Sequence, residues 1–272
     1  METPPKLIFI VPYRNRQQQQ AFFAKQMDYV LSTKTDTDYM ILYIHQKDTR
    51  EFNRGALKNI GFLIGQSMFP DYYKTITFVF NDVDTMPYTP DFLKYETTPG
   101  IVKHFYGFPF ALGGIVSMTG GDFERINGFP NLWTWGYEDN MLQKRVLAAG
   151  GMRIDRSQFY PLADQNIIQF NAGITRDVNR AEFDRYIQNT REGWSSITAL
   201  TYTIDPTEEG PIDQDDRPFY RNQYFANVTQ FSTGVDPNSS GTFAYDLRNG
   251  NTPFKTGVFR RGGRMPRMNM SM

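Results

Sequence analysis

Three short and almost wholly apolar stretches recur in the first 84 residues: LIFIV at 7–11, YMILYI at 39–44 and TITFVF at 75–80. Two segments with helical spacing lie between them. One is QQQQAFFAKQMDYVL at 17–31, and the other runs from Phe52 to Met68 with Leu57, Ile60, Leu63 and Ile64 on one side. A strand that is apolar at successive positions needs cover on both faces. The alternation strand, helix, strand, helix, strand therefore predicts an α/β fold with a mostly parallel central sheet flanked by helices. Sheets of this kind bind ligands beyond the carboxyl ends of their strands. Tyr13-Arg14-Asn15-Arg16 and Asp82-Val83-Asp84 fall at two such ends.

Composition narrows the chemistry. The chain has 272 residues, with 29 basic against 29 acidic side chains and a formal net charge of zero, so bulk charge makes no case for nucleic acid as a partner. Cysteine is absent, which removes disulfides, thiolate metal sites and cysteine nucleophiles together. His45 and His104 are the only histidines, too few for a multi-histidine metal site. The first apolar run, Leu7 to Val11, is five residues long and is followed by Pro12, short of a signal-peptide core or a membrane span. These features predict a cytoplasmic protein without a transmembrane segment.

The middle of the chain is richer in loops. Gly113-Gly114 precedes the apolar Ile115 to Met118, and Asp122 to Ile126 reads as one or two helical turns. Trp133-Thr134-Trp135-Gly136-Tyr137-Glu138-Asp139 follows, then a helix from about Asn140 to Ala149 stopped by Gly150-Gly151. Past residue 200 the periodicity weakens, and residues 205–216 read as an acidic loop. The last 18 residues hold Lys255, Arg260, Arg261, Arg264 and Arg267 and no acid. The expected organisation is one domain over 1–230 and a mobile basic tail over 231–272.

Asp82 and Asp84, two residues apart in a strand-end turn, are placed to converge on one hard divalent cation such as Mn²⁺ or Mg²⁺. Alone, the pair also reads as a solvated acidic turn. Arg14, Arg16 and Arg54 carry guanidinium groups suited to bidentate phosphate contacts, and Arg54 begins a helix, where anions are favoured. Each alone reads equally as a surface arginine. On one rim with a metal site they point to a nucleoside diphosphate. Glu138 and Asp139 read either as caps of the following helix or as a general base beside a sugar-binding acid. Trp133 and Trp135 would give sugar rings flat apolar faces.

The strings VPYRNR, FNRGALKNIGF, FVFNDVDTMP and GGIVSMTGGDFERINGFPNLWTWGYEDN together resemble the β-1,4-galactosyltransferase family, in its order and over roughly residues 7–150. The segment Phe183-Asp184-Arg185 is also similar to the family. The resemblance implies a GT-A fold and a metal-dependent inverting glycosyltransferase. Such an enzyme moves a hexose or N-acetylhexosamine from a UDP-sugar to a sugar hydroxyl on a glycan or glycoconjugate. It implies Arg14, Arg16, Phe52, Arg54, Asp82 and Trp135 as donor-binding residues and Asp84 as a metal ligand. It also implies Glu138 as the acid that holds the acceptor and Asp139 as the general base.

Three departures from the family set further expectations. The stretch matching the family's metal histidine is Asn166-Ile167-Ile168-Gln169-Phe170, which has no histidine, so Asp164, Asn166 or Gln169 is expected to substitute. Ala111 stands where galactose-using members carry a tyrosine, which opens the donor to N-acetylated sugars. Phe105 stands where the family has a phosphate-binding lysine, with Lys103 or His104 as replacements. The family's disulfides and membrane anchor are also missing, which implies a viral or microbial setting. The alternative reading is a catalytically weak or inactive relative that binds sugar or nucleotide.

Overall fold

The computed structural model describes residues 3–35, 37–170, 175–182, 184, 192–208, 220, 222–235, 237 and 241–246. Strand β1 (Leu7–Tyr13) is buried along its whole length. Its side chains alternate between two cores, as the period of a strand requires. Leu7, Phe9, Val11 and Tyr13 join one core with Phe23 and Met27 of helix α1 (Gln17–Val30). Ile8 and Ile10 join the other with Leu57, Ile60 and Ile64 of helix α2 (Arg54–Met68). The unbroken apolar runs are thus strands covered on both sides.

Strand β2 (Tyr39–Gln46) and strand β3 (Thr77–Asn81) flank β1 in parallel. A short β4 (Thr85–Pro87) follows the acidic turn. Beyond β3 the sheet turns antiparallel through β6 (Ile115–Thr119) and β5 (Ile101–Gly107). Helix α3 (Gly120–Arg125) and helix α4 (Glu138–Ala148) come next, followed by β7 (Arg153–Asp155), β8 (Tyr160–Pro161) and β9 (Ile167–Gln169). Both β7 and β8 run parallel to β5, and β9 pairs with β4. Strand β10 (Thr175–Val178) pairs with β13 (Phe243–Asp246). On the other flank, β12 (Gln223–Ser232) lies parallel to β2 and carries β11 (Thr198–Asp205) at the edge. The main sheet runs β11-β12-β2-β1-β3-β6-β5-β7, with β8 on β5.

Helix α2 rides close to the sheet because it carries glycines on the contact face. A Cβ at Gly61 would lie 2.4 Å from Ile10, and one at Gly65 would lie 2.6 Å from Phe78. Asn53 caps the helix by accepting from the Ala56 amide at 2.9 Å. Asn53 and Asn59 also donate to the backbone of Asn131 and Phe129, which pins the segment before α4 against α2.

The element edges shift by a few residues from expectation. The shift at α4 matters most: the helix starts at Glu138, so Glu138 and Asp139 form its first turn rather than a loop ahead of it. Strands β11 and β12 occupy the region where periodicity fades. The expected domain edge at 230 falls inside β12, which pairs with β2 over Gln223–Val228 and stays in the sheet to Ser232 through β11. Residues 247–272, which hold the basic tail, lie outside the described residues, as does most of the acidic stretch 205–216.

Candidate active site

A cavity of about 550 Å³ opens at the carboxyl ends of β1 and β3. The loop after β1 brings Arg14 and Arg16, the segment before α2 brings Phe52, and α2 brings Arg54 from its first residue. The turn after β3 brings Asp82 and Asp84, and the segment leading into α4 brings Trp135 and Glu138. Of the donor, metal and catalytic residues that the resemblance implies, all except Asp139 line this one space. Arg176, on β10, joins them there.

Arg54 is the hub. It pairs with Glu138 Oε1 at 2.5 Å, Asp139 Oδ2 at 2.8 Å and Asp82 Oδ2 at 3.1 Å. Burial alone would lower the Arg54 pKa, but Asp82, Glu138 and Asp139 together raise it well above its ordinary value. Lys58, one helical turn on, places Nζ 3.2 Å from Asp139 Oδ1 and 3.7 Å from Asp82 Oδ1. Burial would raise the Asp139 pKa, but Lys58 and then Arg54 hold it below the ordinary carboxylate value. Glu138 goes the other way. Its burial, with Asp139 beside it, outweighs Arg54 and pushes its pKa up.

Asp139 sits behind Arg54 rather than on the cavity wall. Gly113 packs against it so closely that a Cβ there would lie 2.4 Å from Asp139 Oδ2. The Leu112 amide donates to the Asp139 carbonyl at 3.0 Å. The Asp139 side chain is still 16% exposed.

The donor set suits a hard divalent cation. Asp82 Oδ1 is buried and accepts no hydrogen bond. The Asp84 pKa is raised, first by burial and then by Asp82, so a cation at this turn would relieve both carboxylates. Among the described residues there is no cluster of three acidic or histidine ligands. The expected substitutes are otherwise engaged: Gln169 accepts from the Tyr106 hydroxyl at 2.7 Å, and Asp164 accepts from Asn166 at 3.0 Å. Residues 171–174, next along the chain, lie outside the described residues.

Two further expectations are corrected. Trp133 is buried, its ring stacked on Phe231 and covered by the Arg50 guanidinium, so it builds the wall and offers no free face. Neither proposed replacement for the phosphate-binding lysine reaches the cavity. Lys103 Nζ donates to the Lys94 carbonyl at 2.8 Å, and His104 is buried with its pKa lowered to about 4, chiefly by burial and then by Arg156. Phe105 lies in the core, and Ala111 is buried away from the cavity lining.

Four residues escaped the sequence. Lys58 carried a weak signal, being a lysine on the apolar side of α2 one turn after Arg54. Gly113 shows in the sequence only as part of a Gly-Gly pair ahead of an apolar stretch. Arg176 and Glu182 lie past the four family-like strings, in a stretch where the sequence predicts no element. Glu182 is buried and accepts from the Trp133 amide at 2.6 Å and the Thr134 hydroxyl at 2.6 Å, so it fixes the segment that carries Trp135.

This sheet, with its acidic turn after β3 and its basic rim, defines a GT-A glycosyltransferase fold. The chain matches the family described as the N-terminal region of glycosyl transferase group 7 over residues 2–97 and the N-terminal domain of galactosyltransferase over residues 102–169. It is 32% identical to human β-1,4-galactosyltransferase 1 over 222 residues, covering 77% of this chain and 54% of that protein. It is 32% identical to the Caenorhabditis elegans xylosylprotein 4-β-galactosyltransferase over 151 residues, covering 52% of this chain and 50% of that one. The catalytic domain of Drosophila β1,4-galactosyltransferase 7, in complex with xylobiose, aligns with a TM-score of 0.60 at 19% identity, covering 87% of this chain and 96% of that one. A mutant of that enzyme, in complex with manganese, UDP-Gal and xylobiose, aligns equally well. The chain belongs to the β-1,4-galactosyltransferase-like family. It spans about half the length of the curated relatives it matches. Those relatives are animal proteins and lend no support to a viral or microbial origin.

Proposed function

We propose that this protein is a Mn²⁺-dependent inverting glycosyltransferase. It moves a hexose or N-acetylhexosamine from a UDP-sugar to a sugar hydroxyl. The observation that carries the reading is the Arg54 hub, which ties the acidic turn after β3 to the two acids at the start of α4 on the edge of a cavity of about 550 Å³. Family membership supports it, as does the bound state of the Drosophila relative, which holds manganese and UDP-Gal.

Arg14, Arg16 and Arg54 are assigned to the diphosphate and Phe52 to the uridine side, with Asp82 beside them. Trp135 closes over the sugar. Asp84 would hold the cation, and a bound cation would neutralise charge on the departing diphosphate. Glu138, whose Oε2 is buried and unpartnered, is the acceptor-binding acid. Asp139 takes the proton from the acceptor hydroxyl. That oxygen then bonds to carbon 1 of the sugar from the face opposite the diphosphate, and the bond from carbon 1 to the phosphate oxygen breaks. UDP leaves with the electron pair, which gives inversion. Ionised Asp139 suits this role because Lys58 and Arg54 hold it charged near neutral pH.

Asp139→Asn tests the assignment. Turnover should fall by about a hundredfold or more while UDP-sugar binding survives. Wild-type turnover in that variant would remove Asp139 as the base. The second reading, a weak or inactive binding relative, draws on the lack of a three-ligand cluster among the described residues. It predicts nucleotide binding that ignores Mn²⁺. A cytoplasmic setting belongs to this proposal through the cysteine-free composition alone. Among the described residues, no helix is long and apolar enough to cross a membrane.

A further inference from the structure

Lys58 enters the functional reading so far only through the charge of Asp139, yet it is only 2% exposed. A lysine is almost never fully buried unless it is paired. Its ammonium lies between Asp139 Oδ1 at 3.2 Å and Asp82 Oδ1 at 3.7 Å, and over the Phe129 ring at 4.6 Å from the centroid. The two carboxylates come from different elements, the first turn of α4 and the turn after β3. Arg54 spans the same two elements through the other oxygens, Asp139 Oδ2 and Asp82 Oδ2. The bridge is therefore double, and its inner half is Lys58.

The halves differ in exposure. The Arg54 side chain is 22% exposed and lines the cavity, so an incoming phosphate can compete for its guanidinium. Lys58 is shielded and does not line it. We infer that Lys58 is a positioning residue of the transfer reaction: by bridging Asp82 and Asp139 it keeps the acceptor-side carboxylate fixed against the donor-side turn while Arg54 turns to the diphosphate. The inference rests on the proposed role of Asp139.

A purely structural ion pair would behave differently: removing one partner of a buried pair lowers stability, but it would leave kcat and its pH profile unmoved. The charged and titratable groups facing Asp139 are Arg54 and Lys58 from α2, His104 from β5 and Glu138 on its own helix. Only Lys58 is altered in the test.

Lys58→Met, Lys58→Gln and Lys58→Arg would be compared with wild type in the full chain, reading UDP release from a panel of UDP-sugars with Mn²⁺. In Lys58→Met, kcat should fall by about ten- to a hundredfold with donor KM within about twofold, and the acidic limb of the kcat profile should move up by about one pH unit. Lys58→Arg should recover part of both. Lys58→Gln serves if the methionine variant does not fold. An unchanged kcat and an unmoved acidic limb, with only the melting temperature altered, would overturn the inference. A carboxyl ¹³C NMR titration of Asp139, assigned by its loss in Asp139→Asn, needs no turnover. If wild type releases no UDP, the proposed function fails, and the NMR titration still decides the role of Lys58. An Asp139 signal that titrates at the same pH with and without Lys58 would overturn it, and an upward shift without Lys58 would support it.

Discussion

Asp82 and Asp139 share one pair of cations: Arg54 holds Oδ2 of each, at 3.1 and 2.8 Å, and Lys58 faces Oδ1 of each, at 3.7 and 3.2 Å. The donor-side turn and the first turn of α4 are thereby linked by charge, beside the backbone bonds that tie Asp82 to Gly114 and Asp139 to Leu112. Glu138 adds a third acid on Arg54. The site thus holds its acids in place before any ligand arrives, which is the preorganisation that electrostatic catalysis requires.

Removing the hub should be costly. Arg54→Met leaves three acids with Lys58 as the near cation, and breaking a buried charge network costs on the order of 3–5 kcal/mol. Urea unfolding of the variant should show a loss of that size. Arg54→Lys should fall between, because an ammonium cannot reproduce the planar fork. A loss under about 1 kcal/mol in the methionine variant would mean that the network does not support the fold.

Gly113→Ala tests the fit behind Asp139. The added Cβ would lie 2.4 Å from Asp139 Oδ2, and the nearest groups all belong to that side chain. The carboxylate must move away from its pairing with Arg54. Turnover should drop by about tenfold or more, since small misplacements of a reacting group are expensive, while UDP binding stays near wild type. Equal turnover in both proteins would place the working carboxylate elsewhere.

The site was more legible in the sequence than the fold around it. Arg14, Arg16, Asp82 and Asp84 stand beside long apolar strands, so strand ends located them. Phe52, Arg54 and Trp135 came with family-like strings. Asp139 was found too, but its seat behind Arg54 depends on how closely α4 approaches α2, a tertiary distance set by Asn53, Asn59 and Gly113. Lys58 was missed for the same reason: a lysine among apolar helix residues shows its partners only once α4 is placed. Strands β11 and β12 were missed because β11 lies at the sheet edge, with mostly exposed or half-exposed side chains, and lacks a continuous apolar run.

His104 should make stability depend on acid. Its Nε2 donates to the carbonyls of Tyr106 at 3.0 Å and Gly113 at 3.2 Å, while Nδ1 accepts from Arg156 at 3.1 Å. Both nitrogens are committed as in the neutral ring, and burial with Arg156 lowers the folded pKa from 6.5 to about 4. Between those values the unfolded chain takes up a proton that the folded chain refuses. Stability should therefore fall as pH drops from about 6.5 to about 4, by about 3 kcal/mol from this residue. His104→Gln should flatten the slope in that window, and urea midpoints taken across it would show whether it does. An unchanged slope would mean that His104 is charged in the fold.

The most direct measurement is calorimetric titration of UDP-sugars into the protein with Mn²⁺, with chelator, and into Asp84→Ala. The account predicts binding of at least one UDP-sugar that requires Mn²⁺ and is lost with chelator and in the variant. Equal binding with Mn²⁺ and with chelator, or no binding to any UDP-sugar, would contradict it.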